Sequence, residues 1–387
     1  MFDRMIDTLA AGDQAALDRL VRMAPGLAAG DPDRAAAYLA LGAAAREAGA
    51  VHPAPGPEIL ALFETGCRRL DAAWQSGDAA EALRALNAVV YDLARLEPPA
   101  REAAAPATFA ERFADLAARR SGFCMGMDPS PQVLRDWGLP VSVAGLADFV
   151  SIALEAAEGS VAVVKPQVAF FEAFGPAGMA ELGRLISGAR ARGLLVIADA
   201  KRGDIGTSSA AYARAWLGPG GFDADAVTLN TYLGLGALGP VFERAQEVGG
   251  GTFVVVRSSN PEGSALQSAD MGGLPLADRV ADAMRERNAQ LAPGGVGPVG
   301  AVIGATLGAE AARTVQRLPN ALFLVPGLGQ QGATMDDLAK LFGAAGPRVV
   351  PTSSRAVLAA GPRVAALKAR LAEETAAAMP LQEAAAA

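Results

Sequence analysis

The stretch Val196-Ile197-Ala198-Asp199-Ala200-Lys201-Arg202-Gly203-Asp204-Ile205 places four charged side chains within six positions at the end of an apolar run. Side chains alternate between the two faces of a β-strand, so Asp199 and Lys201 share one face, and Asp204 lies beyond the turn at Gly203. A buried charge is unfavourable unless it is paired with an opposite charge. The stretch therefore predicts a strand that ends either at a solvated surface or at a functional site.

Lysine is scarce in this chain, and its positions are informative. Of the 34 basic side chains, only Lys165, Lys201, Lys340 and Lys368 are lysines. Lysine differs from arginine because its charge is compact and because its ammonium group can lose a proton when its pKa is lowered. Lys165 and Lys201 both lie at the ends of apolar strands, so we interpret them as candidates for a chemical role.

The charge and hydropathy of the chain narrow the classes of partner. A net charge of −7 disfavours nucleic acid, because binding to its backbone needs a basic face. No apolar run reaches the roughly 18 residues of a membrane span, and the residues after Met1 lack the basic and apolar regions of a secretory signal. We therefore expect a cytoplasmic protein with neither a nucleic-acid nor a membrane partner.

The histidine and cysteine content argues against a metal centre or a disulfide. The single histidine, His52, lies in a Pro-rich segment, and no residue after it can supply an imidazole to a catalytic triad or a metal. Cys67 and Cys124 fall in different segments and lack metal-ligand spacing. We expect both thiols to be reduced and buried.

The chain divides into three parts by composition and pattern. Residues 1–106 are Ala-rich with apolar side chains at helical spacing, which predicts an all-α N-terminal extension that ends in a Pro/Ala-rich linker. Over 107–373, short apolar strands alternate with amphipathic helices, and 374–387 are predicted to be an Ala-rich C-terminal tail. Eight such units favour an α/β fold of the (β/α)8 TIM barrel type over an open doubly wound sheet. The predicted strands are 123–127, 161–164, 194–198, 225–229, 252–256, 299–303, 321–325 and 348–351.

Polar residues follow nearly every predicted strand. In a (β/α)8 barrel the carboxyl ends of the strands meet at one face, which carries the catalytic groups. The last two strands are followed by the Gly-rich segment 326–332 and by Ser353, Ser354 and Arg355, a pattern typical of a phosphate site. The other candidates at strand ends are Asp128, Lys165, Asp199, Lys201, Asn230, Ser258, Ser259, Asn260 and Thr306.

Five motifs lie on the predicted barrel. They are DAKRGDIG at 199–206, VPGLGQQG at 325–332, MGMDP at 125–129, LNTYLG at 229–234 and RSSNP at 257–261. With Lys165, these motifs resemble the orotidine 5'-phosphate decarboxylases, in their longer bacterial subtype. The similarity extends over residues 108–370, and the motifs are specific when taken jointly, although a DxKxxD match alone is weak.

The resemblance implies the removal of CO₂ from orotidine 5'-monophosphate (OMP) to give UMP in pyrimidine biosynthesis, without a metal or an organic cofactor. It implies a catalytic array of Lys165, Asp199, Lys201 and Asp204. Lys201 would stabilise the carbanion at C6 and donate the proton, and Asp204 would reach into the partner's active site across a homodimer.

The resemblance also implies a substrate-binding set. Asp128 would bind the ribose, Ser259 the pyrimidine, and Gln331 with Arg355 the phosphate. The family usually has a threonine four residues after the second aspartate of DxKxxD. Here Ser208 stands at that place with Thr207 beside it, so the choice of hydroxyl stays open. The other members of the predicted set are Ile205, Pro326 and Ser354.

Two alternative functions are considered. Mg²⁺-dependent sugar-phosphate decarboxylases and aldolases of the same superfamily share the DxKxxD pattern but typically carry a metal-binding carboxylate at the end of the second strand. This chain has Lys165 there, and its charge would repel Mg²⁺. From another class, the chain could be a non-catalytic nucleotide-binding barrel or a scaffold. The two lysines at strand ends argue against that alternative, since the fold alone gives no reason to retain them.

Overall fold

The described part of the chain contains one α/β barrel. The structure is a computed structural model that describes Ala72 and residues 106–329 and 332–383. The chain divides into two compact units, Met1–Ala104 and Ala105–Ala387, and the barrel belongs to the second. The predicted helices of 1–106 lie outside the described residues except at Ala72 and Pro106. The assignment of that region therefore stays a prediction.

Eight parallel strands close into a barrel in chain order, and β8 pairs back onto β1. The strands are almost entirely buried, because helices cover the outside and side chains fill the interior. This explains why they appear in the sequence as continuous apolar runs. The predicted (β/α)8 TIM barrel is confirmed, and each predicted strand overlaps an observed one. The strands are β1 (Cys124–Met127), β2 (Val163–Pro166), β3 (Leu195–Arg202), β4 (Ala226–Leu229), β5 (Gly251–Arg257), β6 (Val299–Ile303), β7 (Phe323–Pro326) and β8 (Val349–Ser353).

Helices precede β1 and follow each strand. Two of them begin with a capping box, in which Thr108 or Thr334 exchanges hydrogen bonds with the acidic residue three positions later. Among the described residues, no helix is long and apolar enough to span a membrane. The helices are α1 (Phe109–Arg120), α2 (Pro131–Asp136), α3 (Val143–Ala157), α4 (Val168–Glu172), α5 (Gly175–Ala191), α6 (Gly206–Trp216), α7 (Gly239–Val248), α8 (Pro261–Gln267), α9 (Leu276–Leu291), α10 (Gly308–Gln316), α11 (Met335–Phe342), α12 (Arg355–Leu358) and α13 (Val364–Glu383), with 3₁₀ turns at Leu235–Leu238 and Gly343–Arg348.

Helix α1 closes the amino-terminal end of the barrel. Phe109 and Phe113 are buried among the apolar side chains of the barrel interior. The ring of Phe109 meets that of Phe253 edge to face, with 5.8 Å between centroids. Arg112 ties the helix to the barrel by donating to the carboxylate of Asp225 and to the carbonyl of Gly249. This end is therefore filled with apolar side chains.

The last helix runs into the predicted Ala-rich C-terminal segment. That segment was predicted to hold the end of a helix and a tail from 374 onwards, and α13 continues to Glu383. Ala378 and Leu381 are buried in the core between the barrel and its helices, which holds this part of α13 in place. Residues 384–387 lie outside the described part of the chain. The Ala-rich composition concealed the packing, because small apolar side chains occur both in buried helices and in solvated ones.

Candidate active site

Charged side chains meet at the carboxyl ends of β2 and β3. Strand β2 runs to Pro166 and β3 to Arg202, so Lys165, Asp199 and Lys201 lie within the strands. Lys165 is 5% exposed and Asp199 is 7% exposed. The charges at this strand end are therefore buried and paired, which is the arrangement expected of a functional site rather than of a solvated surface.

The carboxylate of Asp199 is the centre of this cluster. Its Oδ2 accepts hydrogen bonds from Nζ of Lys165 at 3.0 Å and from Nε2 of Gln167 at 3.1 Å. Its Oδ1 accepts from Nζ of Lys201 at 2.6 Å and from the hydroxyl of Thr228 at 2.9 Å. Four donors from three neighbouring strands and their ends hold the carboxylate in one orientation. We call these five residues the Asp199 cage.

The charges of the cage stabilise one another. Burial alone would raise the pKa of Asp199, but the ammonium groups of Lys165 and Lys201 hold it well below its usual range. Burial alone would lower the pKa of Lys165, but the carboxylates of Asp199 and Asp128 raise it above its usual value. Asp199 and Lys165 therefore stay ionised at neutral pH, and the site presents fixed charges.

Lys201 has an unusual backbone conformation. Its φ of +46° lies in the left-handed region, which residues other than glycine rarely adopt. The pairing of β3 with β4 shifts register here, from Ala198 opposite Val227 to Arg202 opposite Leu229. Bulges of this kind bend a strand and re-aim its side chains, and they are over-represented next to active sites. The side chain of Lys201 is 48% exposed, so its ammonium remains accessible to a ligand.

Asp128 follows β1 and borders the cage. Its Oδ1 lies 4.0 Å from Nζ of Lys165. The same oxygen is buried and accepts no hydrogen bond from the described residues. Buried polar atoms normally have a partner, so this oxygen is an acceptor well suited to the hydroxyl of a ligand.

The residues after β3 extend away from the cage. Asp204 accepts a hydrogen bond from the backbone N–H of Ile205, and within the described part of the chain it forms no ion pair. Ile205 is 61% exposed, and Thr207 and Ser208 are also exposed at the start of α6. The structure therefore brings Asp128, Lys165, Asp199 and Lys201 together, but it does not bring Asp204 to them within one chain.

The carboxyl ends of β7 and β8 form the second part of the site. Pro326 ends β7 opposite Thr352 of β8, which brings the Gly-rich segment close to Ser353, Ser354 and Arg355. The hydroxyl oxygens of Ser353 and Ser354 are buried without a hydrogen-bond partner in the described residues, and Arg355 is exposed. The predicted phosphate-binding residue Gln331 lies outside the described residues. The structure thus places hydroxyls and a guanidinium at one edge of the barrel, and their binding of an anion stays a prediction.

The loop that follows β5 carries Ser259. The preceding residue is fixed, because the N–H of Ser258 donates to Oε1 of Gln267 at 3.0 Å. Gly304, at the end of β6, lies so close that a Cβ there would be 2.9 Å from the backbone nitrogen of Ser259. The glycine therefore permits a close approach that places Ser259 at the same face of the barrel as the cage.

Two members of the cage were not among the sequence candidates. Gln167 follows β2 directly, and Thr228 lies inside the predicted strand 225–229. A neutral polar residue in such a place is commonly part of a turn or of the sheet. Its residue type alone therefore did not indicate a functional role. The signal that could have found Thr228 is its place on the strand next to Asp199, one residue before the strand ends.

The fold and the site define a class of protein. A closed barrel with a buried lysine and aspartate pair at the carboxyl ends of its strands, and with hydroxyls and a guanidinium after its last strand, is typical of enzymes that act on small molecules. The sequence model of the orotidine 5'-phosphate decarboxylase / HUMPS family matches residues 121–370. This chain belongs to that family.

Individual relatives agree with this assignment. The orotidine 5'-phosphate decarboxylase of Myxococcus xanthus is 48% identical over 265 residues, which cover 68% of this chain and 92% of that protein. A solved structure from Streptomyces avermitilis is 41% identical with a TM-score of 0.67, and the match covers 74% of this chain and 99% of that one. The structure of Leishmania donovani OMP decarboxylase is 30% identical with a TM-score of 0.58, covering 70% of this chain and 99% of that one.

Proposed function

We propose that this chain decarboxylates OMP to UMP, a step of pyrimidine biosynthesis, at the carboxyl end of its barrel. The observation that carries the proposal is the Asp199 cage, in which two ammonium groups and one carboxylate are held in contact in a largely buried site. A reaction that expels CO₂ and leaves negative charge on carbon needs a cation fixed beside that carbon.

Lys201 supplies the chemistry at the reacting carbon. When the bond between C6 and the carboxylate breaks, the electron pair stays on C6, where no adjacent carbonyl delocalises it. The ammonium of Lys201 stabilises this charge and then transfers its proton to C6, while the carboxylate leaves as CO₂. An arginine would provide the charge but not the proton, because its guanidinium does not deprotonate in proteins.

Asp199 and Lys165 keep the proton donor in place. The contact between Nζ of Lys201 and Oδ1 of Asp199 is 2.6 Å, and Lys165 neutralises the other oxygen of the same carboxylate. These charges are fixed before substrate binds, so the protein does not reorganise during the reaction. Repulsion between Asp199 and the substrate carboxylate is a smaller contribution in this account.

The remaining groups of the substrate fit the residues around the cage. The free Oδ1 of Asp128 suits a ribose hydroxyl, and Ser259 lies at the same barrel face for the pyrimidine. The hydroxyl of Ser354 and the guanidinium of Arg355 suit the phosphate, where they would act with Gln331 and the loop that Pro326 begins. Binding at the phosphate, remote from C6, would be used to close the site and exclude water.

The metal-dependent branch of the family is disfavoured by the position of Lys165. Its ammonium lies 3.0 Å from Asp199 and 4.0 Å from Asp128, so it occupies the space between two carboxylates that a divalent cation would need. The test is to follow the orotidylate absorbance with purified protein in EDTA. We expect turnover to continue unchanged. A complete loss that Mg²⁺ restores would favour the sugar-phosphate branch instead.

We also propose a homodimer that shares its active sites. The apolar side chains of Ile205, Tyr232 and Leu233 are 61%, 79% and 56% exposed, so a second copy would remove much apolar surface from water at this face. Asp204 precedes Ile205, and its one hydrogen-bond partner among the described residues is the backbone N–H of Ile205. It would therefore reach the cage of the partner subunit.

Subunit mixing tests this arrangement. Asp204→Ala and Lys201→Ala each inactivate the protein on their own in this proposal, but a mixed dimer has one site with both residues intact. We expect mixing to restore part of the activity. Mixed dimers that form, as shown by mass, and yet stay inactive would refute the contribution of Asp204 in trans.

A further inference from the structure

Thr228 lies on β4, is 1% exposed, and joins two parts of the cage with one hydroxyl group. Its Oγ1 accepts a hydrogen bond from the backbone N–H of Lys201 at 2.9 Å and donates one to Oδ1 of Asp199 at 2.9 Å. We infer that Thr228 is a positioning residue for the decarboxylation, acting through Lys201 and Asp199 rather than by contact with the substrate. This inference rests on the proposed function.

The first hydrogen bond holds the backbone of Lys201. In a regular parallel ladder, an N–H of β3 would donate to a carbonyl of the neighbouring strand, but the register shift between Ala198 and Arg202 interrupts that pairing. The hydroxyl of Thr228 replaces the missing acceptor. A left-handed φ at a residue other than glycine persists only where the surroundings enforce it. Thr228 provides such a constraint at the residue that carries the proton donor.

The second hydrogen bond holds the ion-pair partner of Lys201. A threonine hydroxyl has one proton, so donating it to Asp199 leaves the lone pairs free to accept from Lys201. The same oxygen of Asp199 also accepts from Nζ of Lys201. Thr228 therefore fixes both the backbone of Lys201 and the carboxylate to which its ammonium is bound.

Removing the hydroxyl should change kcat far more than KM. Thr228→Val keeps the shape of the side chain but leaves the N–H of Lys201 without its acceptor and Asp199 without one of its four donors. The backbone at Lys201 could then relax, and the ammonium would spend less time beside C6. Substrate binding would change little, because the groups assigned to the ribose and the phosphate lie on β1, β7 and β8.

The neighbouring strand offers a matched control. Thr252 on β5 is also 1% exposed, and its hydroxyl donates to the carbonyl of Pro298 at 3.0 Å, near the amino-terminal end of the barrel. Thr252 pairs with Val227 in the ladder, but its hydroxyl bonds to Pro298 and to no member of the cage, so Thr252→Val makes the same chemical change without removing a cage hydrogen bond. A purely structural role for Thr228 would make the two variants behave alike.

The experiment measures kcat, KM and melting temperature for wild type, Thr228→Val, Thr228→Ser and Thr252→Val with OMP. We expect Thr228→Val to lose about 10- to 100-fold in kcat with KM almost unchanged, as expected for hydrogen bonds to charged or strained groups. Thr228→Ser, which keeps the hydroxyl, should recover most of that loss, and Thr252→Val should keep the wild-type kcat. Should Thr228→Val not fold, Thr228→Ala removes the same hydroxyl and gives the same comparison.

Three outcomes would overturn the inference. A folded Thr228→Val with wild-type kcat would show that the hydroxyl does not position Lys201, while leaving the proposed function intact. An equal loss in Thr228→Ser and Thr228→Val would show that keeping the hydroxyl does not keep the activity, so its two hydrogen bonds would not be what positions Lys201. Wild-type protein that fails to decarboxylate OMP would overturn the proposed function and this inference together.

Discussion

The two ends of the barrel are built from opposite kinds of interaction. At the amino-terminal end, α1 places Phe109 and Phe113 among apolar side chains, and the burial of these two rings needs no particular orientation of polar groups. At the carboxyl end, Lys165 and Asp199 are almost as deeply buried. The free-energy cost of burying each charge is offset because the opposite charge lies beside it. A substitution at the amino-terminal end should therefore change the free energy of unfolding without changing the rate of the reaction at the carboxyl end.

The largest effect is expected from Lys201→Arg at the carboxyl end. The substitution keeps a positive charge beside Asp199 but removes a proton that can be transferred, so kcat should fall at least about a thousandfold. Lys368→Arg on the exposed face of α13 is the matched control and should keep full activity. Both are measured by OMP turnover. Retention of a tenth or more of the wild-type kcat in Lys201→Arg would argue against proton donation by Lys201.

At the amino-terminal end, Phe113→Ala should alter stability alone. Phe113 is fully buried, and truncating a buried phenylalanine lowers the free energy of unfolding by about 3–5 kcal/mol. Chemical denaturation measures this loss, and kcat is measured at a temperature where the variant is still folded. We expect a kcat within about twofold of wild type, because Phe113 lies on α1 in the apolar cluster at the opposite end of the barrel. A large loss of kcat in folded Phe113→Ala would show that the two ends are coupled.

A smaller effect should follow from loss of the proposed phosphate ligand. In Arg355→Ala, kcat/KM for OMP should fall about 10- to 100-fold, because a charge-assisted hydrogen bond to the substrate is removed. Arg119→Ala is the control at the other end, since Arg119 is exposed on α1 and pairs only with Asp115 among the described residues. Equal kcat/KM values for the two variants would show that Arg355 does not bind the substrate.

The smallest effect concerns the pH dependence of stability. The folded-state pKa of Asp199 lies below its unfolded value, so its contribution is fully present above about pH 4 and is lost as pH falls towards the folded pKa. The difference in melting temperature between wild type and Asp199→Asn should therefore be constant from pH 7 to about pH 5 and narrow below about pH 4. A difference that stays constant down to about pH 2 would contradict the ion pairing of Asp199.

The sequence was sufficient to predict the barrel and the charged centre of the site. Strands buried on both faces appear as apolar runs, and the positions of Lys165, Asp199 and Lys201 at the ends of such runs placed them at one face. Family resemblance supplied the roles of these residues. The contribution of Asp204 to a partner subunit was also implied by the resemblance, and it stays a prediction.

The features of the structure that we did not predict depend on geometry that residue types and their spacing do not indicate. The hydrogen bond from the N–H of Lys201 to Thr228 forms where β3 and β4 shift register, and a register shift leaves no mark in residue type. Gln167 was missed because the predicted β2 ended at 164, two residues before the observed end. The packing of Ala378 and Leu381 was missed because an Ala-rich composition does not distinguish a packed helix from a frayed one.

The most direct test of the account is the kcat of Lys201→Ala for OMP decarboxylation, measured on a preparation whose melting temperature shows that it is folded. We expect wild type to convert OMP to UMP and CO₂, and we expect the variant to melt close to wild type but to turn over several orders of magnitude more slowly. Turnover by folded Lys201→Ala near the wild-type rate would contradict the assignment of the chemistry to the carboxyl end of β3.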